Sequence, residues 1–146
     1  KVSHLGFSLF ILSILLNGIL SKEISSNMKV GDEINFMNKK ITFENIKIED
    51  GANFKTLIGN FKLHDRSQVT DFKPEIRIYN QPETITSEAD ISSSLYSDNF
   101  LVFSLLKNDG YFNVRYQYKP LMFWIWFSIL VMSLGAVISF FRKNEK

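Results

Sequence analysis

Two uncharged apolar blocks stand at opposite ends of this chain, with a polar stretch between them. Leu5 to Leu20 reads LGFSLFILSILLNGIL, and Leu121 to Phe141 reads LMFWIWFSILVMSLGAVISFF. A bilayer core of ~30 Å takes about 20 apolar residues in a helix. The second block meets that length, and the first, at ~1.5 Å per residue, covers ~24 Å and is extended by Val2 and Ser3. Tyr116, Tyr118, Trp124 and Trp126 cluster at the start of the second block, as an interfacial aromatic belt does, and Arg142 and Lys143 end it. For the first block a signal peptide is the rival reading, with Lys1 as its charged head. No small-residue cleavage site follows, since the chain continues Ser21-Lys22-Glu23.

Charge sets the expected orientation. The short flanks hold Lys1, Arg142, Lys143 and Lys146 against Glu145, leaving 13 of the 17 basic and 14 of the 15 acidic residues in the middle. Short flanks decide topology, so both termini are expected in the cytoplasm and the middle outside it. The net charge of +2 is too small for nucleic-acid binding. No cysteine is present, which removes disulfides, thiolate nucleophiles and Cys-based zinc. The first residue is Lys1, not Met, which reads as a fragment or a processed product.

Between the blocks the apolar residues alternate with period two. Ile34 and Phe36 open the series, followed by Ile41 and Phe43, then Ile46 and Ile48. The phase flips between Phe43 and Ile46, which predicts a bulge near Glu44-Asn45. Phe61 and Leu63, Ile76 and Ile78, Leu101 to Leu105 and Phe112 to Tyr118 continue the pattern. Turn residues separate the runs at Met37-Asn38, Asp50-Gly51-Ala52-Asn53, Asp65-Arg66-Ser67 and Asn108-Asp109-Gly110, the last a hairpin signal. The stretch from Thr84 to Ser97 predicts an irregular crossing or a short helix near Ser87-Glu88-Ala89. The fold class is therefore a membrane protein with two transmembrane helices flanking an antiparallel all-β sandwich or small barrel. The expected division is 1–21 helix, 22–119 β-domain, 120–141 helix and 142–146 cytoplasmic tail.

Few residues carry chemistry. His64 stands at a strand end beside a turn and reads as a solvated surface residue. Glu75 and Arg77 share a strand face and read as a surface pair. His4 stands inside an apolar helix, where an ionisable side chain is costly unless it has a role. Imidazole is a common haem-iron ligand. Position alone leaves two readings open, a membrane ligand and an interfacial histidine. On a helical wheel His4, Ser8, Ile11, Leu15 and Gly18 share one side, and Gly6, Ser13 and Asn17 the other. Ser128, Met132, Gly135 and Ser139 form a similar seam on the second block. Small and polar residues on two faces suit a helix packed within a bundle, and they point to further helices beyond this chain.

Several short motifs, in order, resemble one family. Tyr116-Gln117-Tyr118-Lys119-Pro120 followed by Trp124-Ile125-Trp126 is similar to the Y-Y-K-P-x-x-x-W-I-W start of the last membrane helix in CcmF-type cytochrome c haem lyases. Gly31-Asp32, Gly51-Ala52-Asn53-Phe54, Ser87-Glu88-Ala89-Asp90-Ile91 and Asp98-Asn99-Phe100-Leu101-Val102 resemble that family's P-G-D, G-P-N-Y, T-E-A-A-I and D-L-Y-V. Lys73-Pro74-Glu75-Ile76-Arg77 resembles P-E-K-R with a departure at Lys73-Pro74-Glu75. Ser3-His4-Leu5-Gly6 resembles the A-H-L-G that opens the preceding membrane helix.

The resemblance implies a C-terminal part of a bacterial inner-membrane haem lyase with a periplasmic β-domain. It implies His4 as an axial ligand of haem b, with the second ligand, the tryptophan-rich motif and the ligands of the substrate haem all upstream. Catalytic residues are then not assigned within this chain. The implied partners are a periplasmic haem chaperone, an apocytochrome c whose C-x-x-C-H thiols receive the haem, its thiol-handling maturation partners, and membrane lipid. The alternative is a membrane-anchored extracytoplasmic β-domain that binds or assembles without catalysis.

Overall fold

The computed structural model describes residues 1–66, 68–106 and 110–144, the last three in backbone only. Two long helices bracket ten strands, and the chain divides into two compact units. The first unit holds both helices and residues 93–98, and the second holds 23–92 and 99–117.

In the helical unit, α1 spans Val2–Leu20 and α2 spans Met122–Asn144. Both are long and apolar enough to cross a membrane. Their contact runs along the small-residue seams. Gly6 and Ser13 are buried on α1, and Ser128 and Gly135 on α2. A methyl group on Gly6 would stand 2.8 Å from Met132 Cγ and from the Met132 backbone nitrogen, and one on Gly135 would collide with Ser3. Absent side chains are what allow two backbones to approach this closely. Asn17 Nδ2 donates to the carbonyl of Pro120 and ties the end of α1 to the start of α2. The helices are therefore antiparallel, with Ser3 beside Gly135 at one end and Asn17 beside Pro120 at the other. Ser139 is exposed and takes no part in the seam.

The β-unit contains two sheets. Strands β2 (Glu33–Phe36), β3 (Lys39–Asp50), β4 (Phe54–Asp65), β5 (Gln68–Phe72), β6 (Glu75–Asn80) and β7 (Glu83–Glu88) make a six-stranded antiparallel sheet. Its order is β2-β3-β4-β6-β7, with β5 also on β4. The second sheet has the order β1-β10-β9-β8, from Lys22–Met28, Phe112–Pro120, Ser97–Leu105 and Asp90–Ser93 respectively. Side chains from both sheets fill the core. Phe43 stacks on Phe61 at 4.2 Å, and both meet Phe103 of the facing sheet edge-on. Ile41, Phe72, Leu101, Val114 and Tyr116 complete a core almost closed to water. This is the sandwich the alternation predicts.

The phase flip has the predicted cause. Phe43 pairs with Phe61 and Asn45 with Asn60, so Glu44 is the extra residue of a bulge. Ile46 then faces Gly59 and Ile48 faces Leu57. Residues 61, 59 and 57 alternate regularly, so the bulge returns Ile46 and Ile48 to the face of Phe43. Glu44 bonds Lys62 at 2.7 Å on the outer face, and that bond holds the Lys62 pKa above its ordinary value.

One expectation is corrected. No helix forms near Ser87-Glu88-Ala89. Thr84, Ile85 and Thr86 are β-branched, and β7 pairs with β6 from Asn80↔Glu83 to Glu75↔Glu88. The chain does cross here, leaving one sheet after Glu88 and joining the other at Asp90. Turns lie as expected at Met37-Asn38, where Met37 takes φ 56°, and at residues 51–53. Ser67 and the Asn108-Asp109 part of the predicted hairpin lie outside the described residues.

Candidate functional site

His4 stands in the first turn of α1, three residues from Lys1, and its side is exposed. The packing of α1 determines this. Gly6 and Ser13 turn toward α2, and His4, Ser8, Ile11, Leu15 and Gly18 are all exposed, with His4 close enough to the helix contact to share a hollow with Met132 of α2. Ser8 Oγ donates to the His4 carbonyl at 3.0 Å, leaving the imidazole out of the bond. The imidazole makes no hydrogen bond or ion pair with any described residue. It borders a shallow hollow shared with Ser3, Phe7 and Met132. An unbonded imidazole beside an apolar, partly aromatic wall fits the requirements of one axial haem ligand. Among the described residues no three His, Cys, Asp or Glu side chains converge as a metal site.

Glu75 and Arg77 have structural partners. Arg77 donates to Glu75 through Nε and Nη2 at 3.1 and 2.9 Å, and its Nη1 lies 3.0 Å from Glu88. The Glu75 bond, then one with Tyr79, raises the Arg77 pKa. The pair is part of a half-buried network that joins β6 to β7. His64 is half-buried near the end of β4, opposite Lys40 and Val69. Sequence reasoning did not single out Lys39, whose amine lies 3.3 Å from Asp65 and 3.4 Å from the buried Tyr116 hydroxyl. Tyr116 in turn donates to Asn99 at 2.6 Å. A tyrosine in a period-two run with Phe112 and Val114 was the available signal, since a buried hydroxyl needs a partner.

Comparison with known proteins bears directly on this arrangement of helices and sandwich. Residues 19–120 match the family described as the CcmF C-terminal beta-sandwich, which covers most of the chain and the whole of both sheets. The chain belongs to this family. The cytochrome c-type biogenesis protein CcmF of Escherichia coli K12 is 29% identical over 145 residues, covering 99% of this chain and 22% of that protein. CcmF of Pseudomonas aeruginosa is 26% identical over 140 residues, covering 95% of this chain and 21% of the relative. A solved structure named cytochrome c heme lyase CcmF superposes with a TM-score of 0.72 at 19% identity, covering 93% of this chain and 23% of that one. That likeness extends the CcmF fold to both helices as well as the sandwich. The chain thus spans about a fifth of the length of these CcmF relatives.

Proposed function

We propose that this chain forms the C-terminal part of a cytochrome c haem lyase, in which His4 is an axial ligand of a membrane haem b. The observation that supports this reading most is His4 itself. Its imidazole is unbonded within the described chain, and it stands on the exposed side of a helix whose other side is fixed by Gly6 and Ser13. In the whole protein that exposed side would pack on helices from the remaining four-fifths, and one of them would supply the second ligand. When bound, haem b would supply the electrons that keep the substrate haem reduced during its attachment.

The chain's own residues position His4. The Gly6–Met132 and Ser3–Gly135 contacts fix the rotation of α1, and the Asn17–Pro120 bond fixes its axial position. His4 lies 16 residues before Leu20, ~24 Å along a straight helix. If the Leu20 end is periplasmic, His4 lies in the cytoplasmic half of the bilayer, deeper than a periplasmic substrate. The proposed arrangement is helix 1–21, periplasmic β-domain 22–119, helix 120–141 and cytoplasmic tail 142–146, in the bacterial inner membrane. Substrate haem would arrive from a periplasmic chaperone and pass to the C-x-x-C-H thiols of apocytochrome c, prepared by thiol-handling partners.

The test is genetic. A host lacking its own lyase is given the full-length gene, with or without the segment encoding these residues. Covalent haem in periplasmic cytochrome c should return with the intact gene and fail with the truncated one. Failure of the intact gene to restore it would refute the lyase reading.

A further inference from the structure

Residues 94–96 join β8 to β9 and carry an apolar pair, Leu95-Tyr96, within a serine-rich stretch. The turn is built around Ser94. Its Oγ donates to the Ser97 carbonyl at 2.8 Å and accepts from the Ser97 and Tyr96 backbone amides at 3.0 and 3.3 Å. Leu95 and Tyr96 are held outward on it, 56% and 77% exposed. The Tyr96 carbonyl accepts from the Leu121 amide at 2.8 Å, directly before α2 begins. Asn17 binds Pro120 at the same level, near the end of α1. The turn therefore lies where the apolar surfaces of both helices stop, which in a bilayer is the headgroup boundary.

A hollow of about 570 Å³ lies beside it, lined by Ser93, Ser94, Leu95, Asp98, Phe123 and Trp126. The Asp98 carboxylate makes no hydrogen bond or ion pair with any described residue. Asp98, Phe123 and Trp126 line the same hollow; a carboxylate and aromatic rings around one hollow are the chemistry that recognises an ammonium group, and an anionic headgroup would meet repulsion from the carboxylate. We propose that this hollow seats the ammonium headgroup of a zwitterionic phospholipid, with Leu95 and Tyr96 inserted at the acyl boundary beside it. Exposed aromatic and aliphatic side chains on a rigid turn are suited to that boundary. The proposal rests on α2 lying in the membrane and is independent of His4.

The experiment uses the full-length protein in detergent. Native mass spectrometry compares retention of dioleoyl phosphatidylethanolamine with that of dioleoyl phosphatidylglycerol. The ethanolamine lipid should bind roughly fivefold more tightly, the ratio that ~1 kcal/mol of ion-pair and cation–π attraction gives. Asp98→Asn should abolish the preference, and Glu83→Gln, at an exposed acid outside the hollow, should retain it. No preference in the parent, or an undiminished one in Asp98→Asn, would overturn the proposal. Should Asp98→Asn fail to fold, Trp126→Leu serves instead, because Trp126 is 67% exposed, and an undiminished preference there is equally decisive. A nitroxide at Tyr96→Cys in bilayers should be relaxed by oxygen rather than by a water-soluble nickel chelate. Relaxation by neither would place a protein segment over the turn and overturn the lipid assignment.

Discussion

Gly59 faces Ile46 across β3 and β4, where the sheet meets the aromatic core. A methyl group there would stand 2.6 Å from the Phe61 ring and 3.0 Å from Phe103. Overpacking of a filled core costs ~1–3 kcal/mol, so Gly59→Ala should lower the thermal midpoint of the β-unit, measured by circular dichroism. Glu33 offers a test of a different kind. Its hydrogen bond from Lys40 at 3.0 Å, with the attraction of that charge, holds its pKa below the ordinary glutamate value despite some opposing desolvation. A carboxylate with a depressed folded pKa contributes stability that is present above the unfolded value and is lost as pH falls through the folded one. The difference in stability between the parent and Glu33→Gln should therefore be present at neutral pH, begin to fall as pH drops through the ordinary carboxylate range, be lost once pH passes below the lowered folded pKa, and shrink with salt. Denaturant titration at several pH values measures it.

At the scale of elements, the sequence disclosed what depends on periodicity and concealed what depends on partners. The bulge at Glu44 was legible because the odd-to-even switch between Phe43 and Ile46 admits one extra residue. The helix seams were legible because Gly6, Ser13, Ser128 and Gly135 fall at helical spacing. Strand β7 was not, because Thr84 to Glu88 has only Ile85 as an apolar marker and its conformation comes from pairing with β6. Nor was the Ser94 turn, since nothing local to Leu95-Tyr96 indicates that Leu121 will bind it. His4 was legible as an isolated imidazole in an apolar run, but its exposed side came only from the packing of α1 on α2. The seam has a direct test. Gly6→Leu should drive α1 from α2 and lower the melting temperature of this chain purified in detergent, whereas Gly18→Leu should be mild there, because nothing lies within 4 Å of a methyl group at Gly18. Equal effects of the two would contradict the packing.

At the scale of the molecule, the sequence of a CcmF-family sandwich falls between those of two apolar helices. The proposed topology predicts that a reporter fused after Lys146 and one inserted at Gly110 report opposite compartments, and the same compartment for both would end the two-span reading. Whether His4 ligates haem is read from the absorbance spectrum of the purified full-length His4→Ala variant. The variant should lose the haem b bands and most cytochrome c assembly while still folding. A His4→Ala protein with an unaltered haem b spectrum and normal cytochrome yield would contradict this and leave His4 an interfacial histidine.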